Sequence, residues 1–253
     1  MDRLTDAHAH ICDPTFDRDR EEVLARARQA GVDAIIAVGE DLDDARRNLE
    51  LARRYDILKP AAGLYPAHLD MDLADEMAEF ISQNCSQLVA IGEVGLDYWI
   101  AKKESERDVQ REILKIFIKL SKALNLPLNI HSRSAGRHTI ALLLEHDARQ
   151  VHLHAFDGKA GAALAAVEAG YFFSIPPSVV RSPQKQKLVK RLPLSCLLVE
   201  TDSPVLGPLP GERNEPVNLA VSVRAIAELK GISKAEVVMA VAENTERLYG
   251  SFL

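Results

Sequence analysis

Leu4-Thr5-Asp6-Ala7-His8-Ala9-His10 opens the chain with two histidines separated by one small residue. Side chains alternate along a β-strand, so on a strand His8 and His10 face the same way and can chelate one metal ion. Asp6 lies one step earlier on that face. Ala7 and Ala9 point the other way and are small and apolar, as packing behind a buried strand requires. Two imidazoles leave an ion under-coordinated. The remaining ligands must come from further along the chain, and where they sit decides the fold.

Outward from this stretch, short apolar runs alternate with longer amphipathic ones about eight times. The apolar runs predict strands over residues 5–11, 34–39, 59–64, 88–94, 126–131, 151–155, 171–175 and 195–201. Several are nearly continuous in Val, Ile, Leu and Ala, as parallel strands covered on both sides are. The amphipathic stretches predict helices over 17–30, 42–55, 73–84, 104–124, 137–147, 159–169 and 183–191, and two more over 217–230 and 233–249 close the chain. Gly31 and Gly170 fall where a helix ends and a strand begins. Pro127 precedes the fifth strand, and Ser233 with Glu236 forms a capping-box pattern at the last helix. An open doubly wound sheet would carry a glycine-rich phosphate loop early in the chain, and no GxGxxG run is present. The expectation is α/β: a single (β/α)8 TIM-type barrel with an extra C-terminal helix, one domain over residues 1–253.

Composition narrows the class. The chain has 253 residues, 47% apolar and 27% charged, a soluble globular profile with ample core material. No apolar run reaches the ~18 residues of a membrane span, and charges at Asp2, Arg3 and Asp6 argue against a signal peptide. The three cysteines, Cys12, Cys85 and Cys196, are odd in number and form no CxxC pair, which points to free thiols and the cytoplasm. A net charge of −6 gives no global attraction to nucleic acid, so a polyanionic substrate would need local Arg or Lys groups and metal ions.

Four further residues end predicted strands. Glu93 closes the fourth, in Ala90-Ile91-Gly92-Glu93-Val94-Gly95; it either meets a cation or is the first solvated residue past the strand. His131 ends the fifth and His154 the sixth, at equivalent places in successive units. Asp202 follows the eighth, where Pro204 forces a turn. His152 lies one layer below His154 and reads as a hydrogen-bonded histidine rather than a ligand. Glu200 reads either as a partner for a ligand histidine or as a carboxylate satisfied by backbone donors. In a barrel these strand ends converge on one mouth, where active sites of the fold lie. Four imidazoles and two carboxylates suit Zn, Mn or Mg. Six ligands are better shared by two ions about 3.5–4 Å apart with a bridging carboxylate than crowded on one.

Thr5-Asp6-Ala7-His8-Ala9-His10, Gly92-Glu93-Val94-Gly95-Leu96-Asp97-Tyr98, Ile130-His131-Ser132-Arg133, His154-Ala155-Phe156-Asp157-Gly158, Glu200-Thr201-Asp202-Ser203-Pro204 and Asn244-Thr245 together resemble the TatD-type metal-dependent hydrolases, deoxyribonucleases within the amidohydrolase-like barrels. The motifs run in family order from residue 5 to residue 245. The resemblance implies that His8, His10 and Asp202 hold one ion, that His131 and His154 hold the other, and that Glu93 bridges them. It also implies a DNA substrate, with cleavage of the 3′-to-5′ exonuclease type. The converging ligands themselves suggest metal-activated water, with Asp202 the candidate to orient or deprotonate it.

The chain departs from the family at Gly63-Leu64-Tyr65-Pro66, where a histidine usually stands in place of Tyr65. A phenol can donate to a phosphate oxygen but carries no positive charge at neutral pH. His68, three residues on, reads either as a loop histidine or as a substitute contact. Arg133 suits a phosphate. Tyr98 and Trp99 either stack a base or cover the rim, and the basic run 185–191 reads as the outer face of a helix. Arg213-Asn214-Glu215-Pro216 partly resembles a family segment and otherwise reads as a solvated loop. Two alternatives stand beside the nuclease: an ester or amide hydrolase such as an aminoacyl-tRNA deacylase, and a catalytically silent interaction barrel.

Overall fold

A computed structural model of the chain describes residues 4–251. Asp2 and Arg3, whose charges weighed against a leader, lie outside them. Eight parallel strands run in sequential order: β1 (Leu4–Ala9), β2 (Val32–Ala37), β3 (Leu58–Ala62), β4 (Ala90–Gly95), β5 (Leu128–His131), β6 (Val151–Leu153), β7 (Phe172–Ile175) and β8 (Leu197–Val199). The sheet closes at its mouth end, where Asp202 N–H donates to the His8 carbonyl and His10 N–H to the Ser203 carbonyl, both at 2.8 Å. This is the (β/α)8 barrel.

The connecting helices are α1 (Arg20–Gln29), α2 (Leu42–Arg54), α3 (Met71–Asn84), α4 (Glu104–Leu124), α5 (Gly136–Glu145), α6 (Leu164–Glu168), α7 (Pro183–Arg191) and α8 (Leu219–Lys230), and α9 (Lys234–Tyr249) is the extra one. Side-chain caps fix their starts. Asp41 accepts from Asp44 N–H, Asp70 from Asp72 and Leu73, and Ser233 with Glu236 makes the reciprocal box. Gly31 and Gly170, at φ of 86° and 82°, turn the chain from helix into β2 and β7.

Several bounds differ from expectation: β1 and β6 end early, so that His10 and His154 lie just past their strands, and α1 starts three residues late. The predicted helix over 159–169 shrinks to α6, because Gly158 and Gly161 weaken its start. The predicted helix over 217–230 begins with a 3-10 turn, Pro216–Asn218. The eighth strand loses both ends: Leu194–Cys196 forms a 3-10 turn, and Glu200–Asp202 turn across to β1.

The main apolar core lies between the sheet and its jacket of helices. Two small groups are separate from it: Ala7, Phe172, Leu198 and Leu248, and Ile36, Val38, Ala61 and Ala90. Neighbours on one strand divide between main core and small group, as Ile35 and Ile36 do, which puts the small groups inside the barrel. Tyr249, the last residue of α9, packs against both. The extra helix therefore plugs the bottom of the barrel, opposite the mouth.

Candidate metal centre

The register of β1 is irregular between Asp6 and Ala9, so strict alternation fails there. Asp6 turns to β8 rather than joining the histidines: its carboxylate accepts Thr201 N–H at 2.8 Å and the Thr201 hydroxyl. Burial pushes Asp6 up to about 8 despite those two bonds. His8 and His10 do converge, with their Nε2 atoms 3.2 Å apart. The Asn129 amide nitrogen donates to the Ala7 carbonyl, so its oxygen is the atom 2.8 Å from His8 Nδ1. His8 Nδ1 therefore carries the proton, and Nε2 offers its lone pair inward. Burial, then the neighbouring His154, holds His8 well below its ordinary value.

Asp202 completes this side, its Oδ1 3.5 Å from both Nε2 atoms. Its loop is braced from the segment after β8: Asn214 Nδ2 donates to the carbonyls of Thr201 and Val205 at 2.7 and 2.8 Å. Arg213 grips the Asp19 carboxylate with both terminal nitrogens, tying the same segment to the start of α1. That stretch is a brace rather than a solvated loop.

Glu93 lies at the centre, and its two oxygens divide. Oε2 is 3.7 Å from His8 Nε2 and 3.4 Å from His10 Nε2. Oε1 is 2.6 Å from His131 Nδ1 and 2.8 Å from His154 Nε2, and those nitrogens are 3.2 Å apart. Burial alone would raise Glu93, but His154, His131 and His10 hold it well below the usual carboxylate range. The same attraction acts in reverse: against burial, Glu93 and Glu200 lift His154 to about 10. Glycines let Glu93 reach this place. A side chain at Gly92 would meet Asn129, and one at Gly63 would meet the Gly92–Glu93 backbone.

The donor chemistry fits divalent metal. In a tetrahedral centre with bonds of about 2.0–2.1 Å, neighbouring donors stand roughly 3.3–3.4 Å apart. The separations on the His8 side run from 3.2 to 3.7 Å. The other histidines are oriented from outside in the manner of metal ligands. His131 Nε2 donates to Asp97 Oδ2 at 3.1 Å, and His154 Nδ1 lies 3.7 Å from Glu200 Oε2. Lone pairs packed so closely need a cation among them, either protons or metal.

Sequence reasoning missed three residues here. Asp97, visible as part of a motif but given no role, accepts from His131, Tyr65 and the Trp99 and Ile100 amides, and so fixes His131. Glu40 and Lys185 line the cavity of about 430 Å³ above the centre, together with His10, Glu93, His131, His154 and Asp202. The run 185–191 is therefore not uniformly an outer helix face, because Lys185 turns inward. Its signal was its spacing: it stands one turn before the buried Leu188 and Val189.

Arg133 and Tyr65 also line the cavity. Arg133 lies 5.0 Å over the exposed Trp99 ring. The Tyr65 hydroxyl donates to Asp97 Oδ2 at 3.1 Å. His68 falls outside the cavity lining and takes part in a backbone turn to Tyr65.

Below the centre runs a polar chain whose proton order can be counted. Ser174 donates its one hydroxyl proton to Glu200 Oε2 at 2.5 Å, so it accepts from His152 Nε2, also at 2.5 Å. His152, kept neutral by burial, then accepts at Nδ1 from the Tyr249 hydroxyl at 2.7 Å. Both of its nitrogens are engaged within the protein. Glu200 takes both roles its sequence position left open, accepting Ala155 N–H at 2.8 Å and facing His154.

The family model described as TatD related DNase matches residues 5–250. The chain belongs to the TatD family. Two curated relatives illustrate the range. Deoxyribonuclease TATDN3 of Homo sapiens is 45% identical, over 97% of this chain and 94% of the relative. The uncharacterized metal-dependent hydrolase YabD of Bacillus subtilis is 35% identical, over 97% and 98%. Among solved structures, the TatD homologue YjjV of Escherichia coli superposes with a TM-score of 0.90 at 29% identity, covering 98% of each chain.

Proposed function

We propose that this TatD-family hydrolase is a deoxyribonuclease with two divalent ions at the barrel mouth. Its relatives include metal-dependent hydrolases. The two-ion reading is carried by the division of Glu93, with one oxygen toward His8 and His10 and the other toward His131 and His154. In this reading His8, His10 and Asp202 hold one ion, His131 and His154 hold the second, and Glu93 bridges them. Mg, Mn or Zn bound there would activate a water and offset charge on the phosphoryl oxygens. Asp202, at the cavity floor, accepts the proton of the attacking water. Arg133 meets phosphate charge at the rim. The whole of this chemistry sits in one barrel unit.

The rim supports a nucleic-acid substrate. Of nine large apolar side chains exposed among the described residues, seven fall in the segments that follow β3, β4, β7 and β8, which start at the mouth end: Leu69, Met71, Trp99, Ile100, Val180, Val205 and Leu209. Trp99 is flanked by two cations, Arg133 and Lys102. An aromatic face between cations suits a base and its phosphates. One observation favours a second reading, an ester or amide hydrolase such as an aminoacyl-tRNA deacylase. Tyr65 puts a neutral phenol, bonded to Asp97, where the family pattern has a histidine.

The test is release of 3′-terminal nucleotides from single-stranded DNA, run beside ester cleavage with Mg, Mn and Zn added back separately. Metal-dependent release of nucleotides supports the nuclease. Ester cleavage without it supports the second reading. Among the described residues no helix is long and apolar enough to cross a membrane.

A further inference from the structure

We propose that Lys185 is the cation that anchors the substrate's phosphoryl group inside the cavity, an assignment that rests on the phosphodiester reading above. Lys185 is the third residue of α7, whose start is fixed by Ser182 accepting Lys185 N–H and by Pro183 in the first helical position. In a (β/α)8 barrel the helices run back from the mouth, so the first turn of α7 stands at the active face. Lys187, Lys190 and Arg191 are exposed, as a solvated helix face requires. Lys185 shares the inward side with Leu188 and Val189, and its chain enters the cavity instead.

Its ammonium is held but not neutralised. Nζ donates to the Ala155 carbonyl at 2.9 Å, and Ala155 directly follows His154. Among the described residues Nζ makes no ion pair, although burial penalises its charge and only the more distant Glu200, Asp157 and Asp202 oppose that penalty. An ammonium has three N–H donors. With one used on a neutral carbonyl, two remain for the cavity that Lys185 lines together with Glu93, His131 and Asp202. Holding a desolvated cation at a cavity wall is costly unless an anion joins it.

Arg133 is placed differently. It is exposed and lies over Trp99 at the rim. The two cations thus stand at different depths, Arg133 on the loop after β5 and Lys185 in the first turn of α7. Arg133 suits a phosphate outside the reacting position, whereas Lys185 is deep enough to touch the oxygens of the group above Glu93 and Asp202. The anion it fits is a phosphate oxygen, which accepts from the ammonium N–H groups and is attracted by their charge.

The experiment compares the full chain with K185M, K185Q and K185R after metal loading. It reads metal content, the Kd of inorganic phosphate by calorimetry, and KM and kcat on a single-stranded oligonucleotide. Lys185→Met should keep its metal, bind phosphate about tenfold to a hundredfold more weakly and show a similar rise in KM, with Lys185→Arg near wild type. If K185M fails to fold, Lys185→Gln retains a donor for the Ala155 carbonyl without the charge, and should show the same loss. Phosphate affinity and KM unchanged in the uncharged variants would overturn the assignment. So would loss of metal and kcat with phosphate affinity intact, which would make Lys185 a tie to the His154 loop. A wild-type protein that binds no phosphate overturns it as well. If the wild type binds phosphate through Lys185 but cleaves no DNA, the anchor stands and the deoxyribonuclease reading alone fails.

Discussion

Single residues at the mouth have separable duties. Asp202 stands 3.5 Å from two imidazole nitrogens and also lines the cavity, so it can hold a cation and receive a proton. Asp202→Asn keeps the shape and removes the base. Steady-state assays should show kcat lower by about a hundredfold to ten-thousandfold, and unchanged turnover would remove Asp202 from the chemistry. Tyr65 acts through Asp97, which in turn holds His131. Tyr65→Phe removes one of four donors to that carboxylate and should lower metal affinity by about tenfold or less, checked by metal titration; a loss as large as that of an Asp97→Asn variant would contradict this ordering. The six proposed ligands were legible in the chain because each is a His, Glu or Asp at a strand end. Lys185 was hidden in a basic run whose inward member only the packing of α7 identifies. Asp97 was hidden because a carboxylate just past a strand reads as solvated until its four donors are seen.

At the scale of elements, α9 matters beyond its own packing. Its last residue, Tyr249, donates to His152 and accepts from Asn129, which also holds His8. Tyr249→Phe leaves buried polar groups short of a partner and should cost about 1–3 kcal/mol in urea unfolding; stability equal to wild type would mean the chain below the centre carries no load. The same chain sets a pH dependence. Burial keeps His152 neutral to well below its ordinary value when folded, whereas the unfolded chain protonates it near ~6.5. Below that pH the unfolded state binds the extra proton, so stability falls as pH falls, by up to about 1.4 kcal/mol per pH unit. Above it the group adds no slope. Unfolding free energies of wild type and His152→Gln between pH 7 and 5 should diverge in slope, the wild type falling faster; parallel lines would contradict a neutral His152. Helices and strands were legible from periodicity and caps, but the bottom plug was not. A tyrosine closing an amphipathic helix looks like any core aromatic, and its partners come from β5, β6 and β7.

The whole molecule joins these scales through barrel closure. Eight strand–helix units, read from alternating apolar runs, bring strand ends distant in sequence to one mouth. The bonds between β1 and the loop after β8 then set Asp202 beside His8 and His10. What the alternation could not show is how β1 departs from it: a strict strand would leave Asp6 with the histidines, whereas the irregular register sends it to Thr201 and the barrel seam. The centre assembled this way has one member facing both histidine pairs, and the proposed function depends on it. The most direct test is manganese reconstitution of the wild type and Glu93→Gln, read by metal analysis per chain and by the spin coupling in the EPR spectrum. Two Mn ions per wild-type chain with a coupled signal, and loss of the coupling and of at least one ion in E93Q, is the expected result. A single uncoupled ion in the wild type, or a coupled pair that survives in E93Q, would contradict a Glu93-bridged centre.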